Sequence, residues 1–232
     1  MIQYDDFEIL TFDCYGTLID WETGILEALR PVLSNHDITT TDDQVLELYA
    51  EVEARLEKQE YQTYRTVLRQ VVARLGEAMN FRPSPEEMDV LGNSLGNWPA
   101  FVDTVPSLTA LKNKYQLGII SNIDNDLFAE TAKTLQVEFD HVITAAQVKA
   151  YKPSHKVFDY ARELINIPRA KILHVAQSLF HDHVPAKELG YTTVWINRRV
   201  SVEGGGATPP ASALPDAEFP DMASFAKAVG VL

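Results

Sequence analysis

Four short β-prone runs, at residues 8–12, 117–120, 172–176 and 192–196, end in or beside polar residues and are separated by helix-length patterns at 127–135, 154–166 and 184–189. That alternation is the strongest constraint on the fold. Strands that take turns with helices build a parallel, doubly wound sheet, a Rossmann-like α/β core whose ligand site lies at the carboxyl ends of the strands.

The rhythm breaks once. From about Trp21 to Trp98 the apolar residues recur at helical spacing, as in Val45, Leu48, Tyr49, Val52 and Leu56, and again in Val67, Leu68, Val71, Val72 and Leu75, with no convincing strand. The chain therefore divides into a core of residues 1–20 and 99–232 and a helical module, 21–98, inserted after the first strand. Pro83, Ser84 and Pro85 break the module internally, and the stretch from Trp98 and Pro99 to Val105 and Pro106 reads as the return hinge. After Arg199, Gly204 to Gly206 and Pro209 with Pro210 are loop chemistry, expected to be mobile, before a last amphipathic turn around Met222 to Val229 that docks on the core.

Charge narrows the function. With 20 basic and 33 acidic residues the formal net charge is -13, which repels nucleic acid and anionic lipid. A small anionic substrate then needs a local positive cluster inside its site. No apolar run reaches the roughly 20 residues of a membrane span, and the first residues lack the basic and apolar regions of a signal peptide, so a cytoplasmic location is expected. The single cysteine, Cys14, leaves no disulfide within the chain and no multi-thiolate metal site; strand alternation turns it away from Asp13, into the core.

Asp13 ends the first run and is followed by a turn whose backbone amides and Thr17 hydroxyl can orient its carboxylate. A strand-end aspartate that merely caps a turn explains it equally well when taken alone. Three further strand ends change the balance: Ser121 and Asn122 after Ile120, Lys152 and Pro153 before a helix, and Gln177, Ser178 and Asp182 after Ala176. In that four-part pattern the sequence resembles the haloacid dehalogenase superfamily over essentially its full length, and most closely its type II 2-haloacid dehalogenases. The inserted helices match that superfamily's cap.

The resemblance implies a hydrolytic dehalogenase of short 2-haloalkanoic acids. Asp13 would attack the halogen-bearing carbon, and water would hydrolyse the resulting ester. Lys152 would hold Asp13 ionised, and Asp182 would hold Lys152 and help position the water. Thr17, Ser121 and Asn122 would bind the nucleophile or the substrate carboxylate, with Tyr15, Gln177 and Ser178 beside them. From the cap, Arg65, with Arg55 as the alternative, would capture halide or carboxylate, and Trp98 would wall the pocket or pack the return hinge. The resemblance implies no cofactor, no metal, and a homodimer formed through the cap.

Two positions separate this reading from a magnesium-dependent phosphatase of the same superfamily. Phosphatases place a second aspartate two residues after the nucleophile as a general acid; Tyr15 stands there, a poor acid for that step. Gln177 replaces a carboxylate that magnesium-dependent relatives use as a ligand. Leu179 and Phe158 depart from the type II pattern, where a polar residue and a tyrosine are usual, which keeps open a divergent branch or a catalytically silent small-molecule-binding relative. His174, His181 and His183 fall on different sides of a strand-to-loop transition and do not read as a metal cluster; His181 can border the pocket.

Overall fold

The computed structural model describes residues 2–200 and 204–232. Six strands, β1 (Ile9–Phe12), β2 (Gln116–Ser121), β3 (His141–Thr144), β4 (Ile172–Ala176), β5 (Thr192–Ile196) and β6 (Ala217–Phe219), form one sheet in the order β3-β2-β1-β4-β5-β6. All five pairings are parallel. β1 lies between β2 and β4, where the strand order reverses, so the crevice at its carboxyl end is the natural ligand site.

Every residue of β1 and β4 is buried, as expected of a parallel sheet covered on both faces. Alternation along β1 sorts those residues. Leu10 and Phe12 enter a cluster with Leu108, Leu111, Met222 and Phe225, whereas Ile9 joins Val157, Phe158, Ala161 and Ala186. The first cluster draws on α5 (Thr104–Lys112) and α10 (Met222–Val229), the second on α8 (His155–Ile165) and α9 (Val184–Glu188). Cys14 keeps the parity of Phe12 and is fully buried in the first cluster. Two further helices, α6 (Asn125–Leu135) and α7 (Ala145–Val148), follow β2 and β3.

Between Ile19 and Ala100, which meet in an antiparallel bridge, the described chain is helical: α1 (Trp21–Asn35), α2 (Asp42–Glu57), α3 (Tyr64–Ala78) and α4 (Val90–Ser94). Local chemistry fixes the helix starts. The Asp20 carboxylate accepts from the Thr23 N–H, and Thr41 with Gln44 forms a capping box at the start of α2. α1 can approach the Trp98 ring because residue 24 is glycine; a Cβ there would lie 2.2 Å from that ring.

Two sequence expectations need correction. Val105 and Pro106 are not hinge residues: they lie in the first turn of α5, where a proline costs no hydrogen bond. The segment after residue 203, expected as a mobile loop, is irregular up to β6 but is anchored at Ala207, which is fully buried and whose N–H donates to Glu22 Oε1 at 2.9 Å. The rest of the expected mobile stretch, residues 201–203, lies outside the described residues. Among the described residues no helix is long and apolar enough to cross a membrane.

Candidate active site

Asp13 follows β1 directly and its N–H still pairs with the Val175 carbonyl, so the sheet ladder fixes its position. The chain then turns sharply. Gly16 sits at φ +91°, a left-handed conformation that suits glycine, and a Cβ there would stand 3.0 Å from Trp21 Nε1. The turn brings Thr17 back, and its hydroxyl donates to Asp13 Oδ2 at 2.8 Å while accepting the Gln177 N–H at 2.9 Å. The loops after β1 and β4 are thereby tied together at the Asp13 carboxylate.

Lys152 reaches the other oxygen. Its Nζ donates to Asp13 Oδ1 at 2.9 Å, to Asp182 Oδ1 at 2.7 Å and to the Ile120 carbonyl at 2.9 Å, which uses all three ammonium hydrogens. Its backbone is clamped as well, because Asn122 accepts the Lys152 N–H at 2.7 Å and donates to the Lys152 carbonyl at 3.0 Å. Asp182 also meets His174 Nε2 at 3.0 Å, and His174 Nδ1 pairs with the Thr11 hydroxyl.

One ammonium thus sits between two buried carboxylates. Burial raises the Asp13 carboxyl above its ordinary value, and the opposing pull of Lys152 and Thr17 does not fully offset it. Burial acts on Asp182 in the same direction, but Lys152 and the bond from His174 outweigh it, and that carboxyl titrates below its ordinary range. Lys152 is held firmly charged: burial alone would lower it, yet Asp13 and Asp182 raise it.

A cavity of about 30 Å³ opens over this triad, lined among others by Tyr15, Trp21, Ser121, Ser178, His181 and Thr208. From the helical segment come Glu53, Glu57 and Tyr64. The Ser121 hydroxyl, Asp182 Oδ2 and His181 Nε2 are buried without a hydrogen-bond partner, and all three residues line the cavity. His181 Nε2 lies 3.5 Å from Glu57 Oε2 without forming a hydrogen bond, and Asn122 donates to both oxygens of Glu57 at 3.2 Å. Burial holds Glu57 well above the carboxylate range and pushes Glu53 up to about 7, the latter helped by its neighbour Glu57. His181, also desolvated, titrates below its usual value.

The structure therefore brings Asp13, Thr17, Lys152, Asp182, Ser121, Asn122, Tyr15 and Ser178 together, whereas Arg65, its alternative Arg55, the Gln177 side chain and Trp98 do not line the cavity. Arg65 points its guanidinium at Asp126 and the Gly92 carbonyl, because its N–H at the start of α3 is held by Asp124 and the side chain runs outward. Arg55 fares no better, being exposed and paired with Glu51 one turn earlier. Gln177 lends its N–H to Thr17, but its side chain accepts from the Thr208 hydroxyl at 3.2 Å and does not line the cavity. Trp98 packs edge-on to Tyr15 and against Gly24, so it backs the pocket wall; Trp21 is the tryptophan that lines the cavity. Sequence reasoning missed Glu53, Glu57, Tyr64 and Trp21. Glu53, Glu57 and Tyr49 stand at four-residue spacing on α2, the only signal that could have flagged a polar inner face.

Among the described residues no group of three or more His, Cys, Asp or Glu side chains is arranged to hold a metal ion. The Tyr15 hydroxyl pairs with Thr131 Oγ1 at 2.8 Å, and burial raises it well above its ordinary value.

Comparison with known proteins agrees with this fold. The family model for haloacid dehalogenase-like hydrolases matches residues 7–179. The (S)-2-haloacid dehalogenase H-109 of Pseudomonas putida is 27% identical over 217 residues, which is 87% of this chain and 91% of that protein. A defluorinating L-2-haloacid dehalogenase superposes with a TM-score of 0.79 at 22% identity, over 97% of this chain and 95% of the other. The L-2-haloacid dehalogenase of Xanthobacter autotrophicus with chloropropionic acid covalently bound gives a TM-score of 0.80 at 17% identity, over 97% and 98%. At these identities the structural likeness establishes the fold.

Proposed function

The chain belongs to the haloacid dehalogenase-like hydrolases, and on that premise we propose that Asp13 displaces halide from the 2-carbon of a short 2-haloalkanoic acid, with residues 21–98 acting as the cap over the reaction. The observation that carries this reading is the state of Tyr15. A phosphatase needs a proton donor at that position, but this hydroxyl is engaged by Thr131 and its acidity is suppressed by burial. A halide leaves without a proton.

In the first step a carboxylate oxygen of Asp13 forms a bond to carbon as the carbon–halogen bond breaks, and halide departs with the electron pair. Lys152 and Thr17 hold the carboxylate in place from its two oxygens. In the second step water attacks the carbonyl carbon of the ester. Asp182 Oδ2, ionised and without another partner, orients that water, and His181, kept neutral by burial, has Nε2 free to take its proton. One water proton passes through His181 to the departing alkoxide and the 2-hydroxy acid leaves; the second is released to solvent, so that Asp13, now with one oxygen from water, is a carboxylate again. Ser121 supplies a hydroxyl donor to the substrate's carboxylate, a task the resemblance gave to an arginine.

The test is a halide-release screen of short 2-haloacids run beside a panel of phosphate esters, each with and without a chelator. Halide release that survives exhaustive chelation is the expected result. Magnesium-stimulated release of phosphate, with no halide from any haloacid, would overturn the reading.

A further inference from the structure

The inner cavity is too small for the whole problem of substrate capture. At about 30 Å³ it has room for roughly two waters, and its wall from α2 carries carboxyl groups where a cation was expected. In a chain of net charge -13, an organic anion reaches such a site only if positive potential is focused near its opening.

A second cavity, of about 400 Å³, adjoins the first, and Glu57 and Lys152 line both. Its remaining wall includes Lys58, Lys149 and Lys156, together with Tyr61 and Phe180. The three lysines converge from separate places: Lys58 caps the end of α2, Lys149 ends α7 and Lys156 lies in the first turn of α8. Among the described residues none of their ammonium groups is paired with a carboxylate. Two rest on aromatic faces instead, Lys58 at 5.6 Å from the Phe180 ring centre and Lys149 at 5.1 Å from that of Tyr61. An ammonium held on a ring keeps its charge available to an incoming anion. Glu57, at the junction, has its carboxyl held well above the usual range by burial, which lessens its repulsion of an anion that passes it.

We propose that this outer cavity is the mouth of the active site, where Lys58, Lys149 and Lys156 capture a small organic carboxylate before its reacting end moves past Glu57 and Lys152 to Asp13. Capture itself needs only the three lysines; the onward step rests on the reading of Asp13 as the nucleophile.

The experiment separates the two. Isothermal calorimetry follows the binding of propanoate, an inert carboxylate, to the full chain and to the K58Q/K149Q/K156Q variant at low and high salt. Halide release from 2-chloropropanoate is measured on the same samples. The proposal expects propanoate affinity to fall with salt in the parent protein. It also expects the triple variant to lose about tenfold in affinity and in kcat/KM, with kcat nearly unchanged and thermal melting intact. Binding that the triple variant leaves unaltered, or no propanoate binding by the parent protein, overturns the mouth. Lysine-dependent binding without halide release supports the mouth and defeats the dehalogenase reading instead.

Discussion

Lys152 commits every donor it has, so its removal leaves Asp13 and Asp182 as buried carboxylates with no cation between them. Lys152→Met should therefore abolish turnover and destabilise the fold by about 3 kcal/mol at neutral pH. The loss should shrink in acid, where protonation relieves the repulsion; urea unfolding at pH 5 and pH 8 reads both effects. Asp13 gives a second prediction. Its carboxyl lies above its ordinary value, chiefly through burial, and attack requires the ionised form. kcat/KM is thus full above that raised pKa and falls as pH drops through it, with a limb above the ordinary aspartate value of about 3.9. A limb at or below that value in a pH–rate profile would contradict the electrostatic account of the triad. Asp13 was legible in the sequence because it follows β1 directly, where the fold class alone predicts a site; Lys152, in the loop between α7 and α8, and Asp182, in a helical turn beyond β4, were legible only through the resemblance. Glu53 and Glu57 were not, since acidic residues on a helix look like a solvated face until the helix is docked.

α2 carries the least conventional chemistry of any element. Glu53, 2% exposed, accepts hydroxyl bonds from Tyr49 at 2.9 Å and Tyr64 at 2.5 Å, and burial with the nearby Glu57 pushes its carboxyl up to about 7. An acid with a raised folded-state pKa contributes stability that is complete below its unfolded value, near 4.3, and is lost as pH rises through about 7. Glu53→Gln, neutral at every pH, should therefore flatten the decline in melting temperature between pH 5 and pH 8, by up to about 3 kcal/mol of differential stability. Parallel melting curves for parent and variant would show that Glu53 does not titrate in that window. At the same scale, strands that are largely apolar and buried throughout, such as β1, were readable, whereas β3 and β6 were not: β3 begins and ends in the polar His141 and Thr144, and β6 holds only three residues at the sheet edge. Arg65 failed for a related reason. Helical spacing tells which residues share a face, but the Asp124 carboxylate, which accepts the Tyr64 and Arg65 N–H groups, decides how α3 is turned.

The whole molecule is a parallel sheet whose switch point carries Asp13, with a helical segment closing over it through polar contacts rather than a continuous apolar seam alone. Tyr151 donates to the Gln62 carbonyl at 2.8 Å, Asn122 to Glu57, and Asp124 accepts from the first turn of α3. Asn122, Glu57 and Tyr64 line the inner cavity and Tyr151 the outer one, so the closed arrangement and the assembled site are one structural state. The proposed reaction depends on Asp13 forming a covalent ester, and the origin of the product oxygen reports on it directly. With enzyme in excess over a halide-releasing 2-haloacid in heavy-oxygen water, a single turnover should give mostly unlabelled 2-hydroxy acid and a labelled Asp13 peptide, and later turnovers should label the product. Label in the first-turnover product, with Asp13 unmarked, would mean that water attacks carbon directly and would contradict the account.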